Sequence, residues 1–189
     1  MANVLRAAYR GNLLTDPDGS KGPLVKLGRF AAGATTAIEP GTILELTGST
    51  NTVWVPLDSD FDMSAAAGSG GKVAVAVERV ESGDRAGYYQ IAVPRPGDLW
   101  EFDLNAASAI AVGTALYYHA NSTATQTVLT VTAGTNIIGY AAGQEHYPRR
   151  QGHLVHDASL DAGTTIASTS KVLMCFEETN SYYSAFQRQ

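Results

Sequence analysis

From Thr42 onward, apolar residues recur at every second position in short runs, and this period limits the possible folds more than any other feature. Successive side chains of an extended strand leave opposite faces, so alternation marks a strand with one buried side. Val73, Val75 and Val77 alternate with Ala74, Ala76 and Glu78, and Tyr89, Ile91 and Val93 alternate with Tyr88, Gln90 and Ala92. Trp100, Phe102 and Leu104, alternating with Glu101 and Asp103, make the cleanest half-buried strand, while Val53, Val55 and Leu57 share a face opposite Trp54. Further candidates are Ala115–His119, Thr125–Thr132, Asn136–Ala141 and Lys171–Glu177. The last carries Val172, Met174 and Phe176 on one face and Leu173 and Cys175 on the other, as an interior strand does.

Turn residues separate the runs: Gly48-Ser49-Thr50-Asn51, Gly68-Ser69-Gly70-Gly71, Glu81-Ser82-Gly83-Asp84, Pro94-Arg95-Pro96-Gly97 and Asn121-Ser122. After residue 30 only the Ala-rich stretch 105–111 could form a helical turn. The expected fold is therefore all-β: a compact sandwich or barrel domain with little helix.

Residues 1–30 differ. Leu5, Tyr9, Leu13 and Leu14 stand among polar residues, and Asp16-Pro17-Asp18-Gly19 and Lys21-Gly22-Pro23 interrupt any regular element. Leu5 and Tyr9, four apart, fit one short helix; an extended arm lying against another surface fits equally. The expected organisation is an N-terminal arm over 1–30 and a single β domain over 31–189, which includes an aromatic tail. One internal echo stands out: Ala37-Ile38-Glu39-Pro40-Gly41-Thr42-Ile43-Leu44 resembles Ala109-Ile110-Ala111-Val112-Gly113-Thr114-Ala115-Leu116. Both place Gly-Thr at the start of a strand, where Gly permits a tight backbone and Thr suits the pleat. Gly-Thr also occurs at 134–135 and 163–164, so a duplicated unit and chance both explain it.

Composition excludes several roles. Among 189 residues, 13 Lys+Arg oppose 18 Asp+Glu, for a formal net charge of −5. An acidic chain with four lysines lacks the cationic footprint of a nucleic-acid binder. No apolar run approaches the length of a membrane span, and Met1–Arg6 does not open a secretory signal. A lone Cys175 excludes an intrachain disulfide and a cysteine-built zinc site.

No chemical motif is intact. His146, His153 and His156 fall in one stretch ending at Asp157, but nothing marks a fourth metal ligand, and Pro148 and Gly152 suit a surface or partner-facing loop. Asp58, Asp60 and Asp62 begin like a calcium loop, yet Met63 stands where Gly is needed and Ser69 where Glu is needed. Gly68–Lys72 fails as a phosphate loop, having Ala66 for the first Gly and Val73 after the lysine. Cys175, within an apolar strand, should have a raised pKa and behave as a small hydrophobe. Neither a catalytic residue nor a cofactor is expected. In the tail, Tyr182, Tyr183 and Phe186 must pack either on the chain's own body or on a partner.

The order of these segments resembles that of small bacteriophage capsid decoration proteins, also called cement proteins. The likeness lies in Pro40-Gly41-Thr42-Ile43-Leu44-Glu45-Leu46, a hairpin, Val-rich 72–80, and Gly97-Asp98-Leu99-Trp100-Glu101-Phe102. It continues through Ala111-Val112-Gly113-Thr114-Ala115-Leu116-Tyr117-Tyr118, Ile137-Ile138-Gly139-Tyr140-Ala141-Ala142 and Lys171-Val172-Leu173-Met174. The resemblance implies a non-enzymatic virion protein on the outer surface of a phage head, commonly a homotrimer, that bridges neighbouring major capsid subunits. Leu5, Tyr9, Leu13, Leu14, Tyr182, Tyr183 and Phe186 are then the candidate contacts. A tail, baseplate or fibre module binding a host surface or glycan is the alternative; its one candidate, Trp100 beside Glu101, points inward by alternation. A small hydrolase using the stretch 146–157 is a third.

Overall fold

The computed structural model describes residues 9–12, 22–30, 37–47, 53–58, 72–81, 87–95, 97–106, 110–111, 113–123, 126–134, 137–142 and 171–176. These residues form β-strands and turns, with no helix among them. The strands are β1 (Tyr9–Asn12), β2 (Leu24–Phe30), β3 (Ile43–Thr47), β4 (Val53–Pro56), β5 (Val73–Ala76) and β6 (Gly87–Val93). They continue with β7 (Asp98–Asn105), β8 (Ala115–Tyr118), β9 (Val128–Thr130), β10 (Gly139–Ala141) and β11 (Lys171–Phe176). The all-β expectation holds.

The strands close into two rings. β2-β4-β3-β5-β6 is a closed barrel, and β7-β11-β10-β8-β9 closes through an additional β7–β9 pairing, with β1 added beside β7. The two rings share one topology. In each, the first strand runs parallel to the third (β2 with β4, β7 with β9), and every other pairing is antiparallel.

The register matches as well. Leu44↔Ala74 in the first barrel corresponds to Leu116↔Gly139 in the second, and Ala76↔Ile91 corresponds to Ala141↔Met174. Ile91↔Lys26 corresponds to Met174↔Trp100, and Phe30↔Trp54 to Leu104↔Leu129. Leu46↔Trp54 and Tyr118↔Leu129 then complete both circuits without a slip.

The echo at residues 37–44 and 109–116 marks equivalent turns. Thr42 N donates to Glu39 O at 3.2 Å, and Thr114 N donates to Ala111 O at 3.2 Å. Gly41 (φ 93°) and Gly113 (φ 84°) hold the left-handed position that a side chain would strain. Gly41 N and Gly113 N donate to Ala76 O and Ala141 O, both at 2.8 Å. A duplicated unit therefore explains the echo, and the described strands from β2 to β11 form two like barrels. The arm boundary at residue 30 also moves, because β2 is a full strand of the first barrel along its pairing with β6.

Alternation assigns the two faces of the first barrel. Phe30, Leu44, Leu46, Trp54, Ala74, Ala76, Ile91 and Val93 fill its interior. The opposite parity, Ile43, Val73, Val75 and Ala92, joins a second cluster with Leu99, Trp100, Leu116, Leu129, Leu173 and Met174 of the other barrel. Both faces of β5 are thus covered, which is why Val-Ala-Val-Ala is buried throughout. Ile43 N donates to Thr127 Oγ1 across this seam at 2.8 Å, satisfying a backbone group that burial would otherwise orphan.

Candidate functional site

Three kinds of surface deserve comparison: the place where β1 docks, the outer face of the second barrel beside it, and the same face of the first barrel.

Short β1, a four-residue strand carrying Arg10 and Gly11, could not hold an edge alone. Polar side chains fix it. Asn12 Nδ2 donates to Asp98 Oδ1 at 2.7 Å, and Tyr9 OH donates to the same oxygen at 3.3 Å. Arg95 reaches Asp98 Oδ1 and Tyr9 OH, both at 3.1 Å, and Gly22 O at 3.3 Å, tying the inter-barrel connection to both. Burial lowers the affinity of the Arg95 guanidinium for its proton, but the Asp98 carboxylate and Tyr9 outweigh it, so its pKa is raised. The Asp98 carboxylate is buried and takes donors from three side chains, an arrangement that holds structure together.

Tyr9 is therefore an internal anchor. Its ring is buried, edge-on to Trp100 at a centroid distance of 5.1 Å. Its phenol is engaged by Asp98 and Arg95, so this candidate contact serves the chain's own fold. Leu5, Leu13, Leu14, Tyr182, Tyr183 and Phe186 lie outside the described residues, as do the histidines of 146–157 and the loop of Gly68-Ser69-Gly70-Gly71.

Beside β1, the outer face of the second barrel is charged and paired. Arg10 Nη2 lies 2.6 Å from Glu101 Oε2, and Lys171 Nζ lies 3.4 Å from Glu101 Oε1. Asp103 accepts a hydrogen bond from Gln126 Nε2.

The first barrel has apolar residues on this face. Val25, Leu27 and Tyr88 are 42%, 67% and 69% exposed. Pairing of Val25 with Ala92, Leu27 with Gln90 and Arg29 with Tyr88 sets them on one outer face of β2 and β6. Sequence reasoning misses Val25 and Leu27 because they fall within residues 1–30, the expected arm. A signal existed for Tyr88: alternation puts it on the polar side with Gln90, where an aromatic ring is out of place.

Trp100 is fully buried, which removes it as a glycan platform. Burial, and Asp98 nearby, push the half-buried Cys175 thiol up from 9.0 to about 11, the opposite of what a nucleophile needs. Tyr118, where the barrels meet, is raised by burial and then by Asp58 and Glu45. No three His, Cys, Asp or Glu side chains are grouped to hold a metal ion among the described residues. Comparison with known protein families, characterised proteins and solved structures finds no match.

Proposed function

We propose that this chain is a structural virion protein that binds the outside of a phage head and cements neighbouring major capsid subunits, acting as a homotrimer. One observation carries the reading: large apolar side chains stand exposed on strands of a closed barrel, with Leu27 and Tyr88 the most open. Strand-borne apolar groups on a rigid body suit a broad protein contact, since little conformational freedom is lost when they are covered. The low charged fraction of 16% acts in the same direction, because fewer long side chains must be immobilised. The segments that resemble decoration proteins lie mainly on barrel strands and their turns, the parts that would form such a body. Trimeric self-association would multiply weak contacts with the shell by avidity.

The test is sedimentation of purified protein with undecorated heads. Saturable co-sedimentation at micromolar protein is the expected result, and heads that pellet without it would sink the reading.

A further inference from the structure

We propose that the outer face of β2 and β6 is the surface through which two copies of this chain pack against each other. The proposal rests on the reading above only in treating exposed apolar strands as surface that protein covers.

The internal repeat supplies a control inside the molecule. At matched register, Leu27 of the first barrel corresponds to Glu101 of the second, and Tyr88 corresponds to Lys171. In the second barrel these positions form an ion pair at 3.4 Å, extended by Arg10. The fold therefore accepts a charged pair here, Lys171 open to water and Glu101 largely covered, and does not itself demand apolar residues. The first barrel carries Leu27 and Tyr88, more than two-thirds exposed, at the same two places. An isolated exposed leucine needs no explanation, but two neighbouring apolar residues where the sister barrel has a salt bridge, with exposed Val25 beside them, do.

Continuity identifies the occupant. Along β6 the outer row runs Tyr88, Gln90, Ala92, and Ala92 is fully buried in the seam between barrels. Val25 is its cross-strand neighbour, so the apolar seam emerges directly onto the open face. What this row packs against inside the chain is another barrel of the same fold, and a second copy brings that body again. Charge agrees: exposed Arg29 lies on this face, and a chain of net charge −5 offers it an acidic counterpart.

The mass of the full chain, measured by light scattering and sedimentation velocity between about 1 and about 100 μM, tests the proposal. The wild type should run as a multiple of 19.9 kDa. The double variant Leu27→Glu/Tyr88→Lys transplants the second barrel's pair and should be monomeric, with an unchanged far-UV spectrum. Should that variant fail to fold, Leu27→Gln alone should weaken self-association about 30-fold, as loss of a central apolar anchor does. A wild type that stays monomeric at the highest concentration overturns the proposal, and so does a folded variant of unchanged mass. Head binding by a monomeric chain would overturn this proposal together with the homotrimer, and leave only the binding to heads standing. Self-association without head binding would do the reverse.

Discussion

Matched positions in the two barrels trade volume. Gly28 of β2 corresponds to Phe102 of β7, while Trp54 of β4 corresponds to Leu129 of β9. A Cβ on Gly28 would come within 2.7 Å of Trp54 Cδ1 and 2.8 Å of Ile91 Cδ1, so the small residue makes room for the large ring. In the sister barrel the bulk sits on the other strand. Each core is filled by its own pairing, and neither residue is exchangeable alone.

Cys175 offers a direct check at this scale. With its thiol raised from 9.0 to about 11, the folded protein should react with iodoacetamide about 100-fold more slowly than the unfolded chain at pH 8, since thiolate is the reactive form. The rate in the folded state should climb as pH approaches 11. The folded state holds this proton more tightly than the unfolded one. The associated stability is therefore fully present below 9 and is lost as pH rises through about 11. Equal alkylation rates for folded and unfolded protein would contradict the burial of this strand.

Among the elements, β1 behaves as part of the second barrel. Replacing Tyr9 with Ala removes its ring from Trp100 and a donor from buried Asp98, and should cost about 3 kcal/mol in urea denaturation. A loss below about 1 kcal/mol would restore the picture of a free arm.

Legibility differed strand by strand for a physical reason. β5, β6 and β7 stood out because burial enforces their alternation. β2 did not, since Leu24-Val25-Lys26-Leu27-Gly28-Arg29-Phe30 carries Val25 and Leu27 outward and only Gly28 and Phe30 deeply inward. A barrel whose inner residue is glycine and whose outer residues are apolar reverses the usual pattern. β1 was hidden differently: its strand character comes from Asp98 and Trp100, far along the chain, and no local period encodes that. The site was the least legible part, because the meaning of Leu27 and Tyr88 emerges only beside Glu101 and Lys171.

For the whole molecule, the seam between barrels decides cooperativity. Ile43, Val73, Val75 and Ala92 share one continuous core with the second barrel, so heating should give one unfolding transition with coincident probes. Thr127→Val keeps shape but leaves the buried Ile43 N–H without its acceptor. It should cost about 1–3 kcal/mol while the transition stays single. Two resolved transitions in the wild type would mean the barrels fold independently.

The position of β1 also orders events during synthesis. Its acceptor Asp98 is 89 residues downstream of Tyr9, and the second ring closes only when β11, the last described strand, has been made. The five strands of the first barrel all precede β7 in the chain. That barrel can close while the ribosome is still at work, with its Val73 and Val75 face not yet covered. β1 is thus held without its native partner until the second half of the chain arrives.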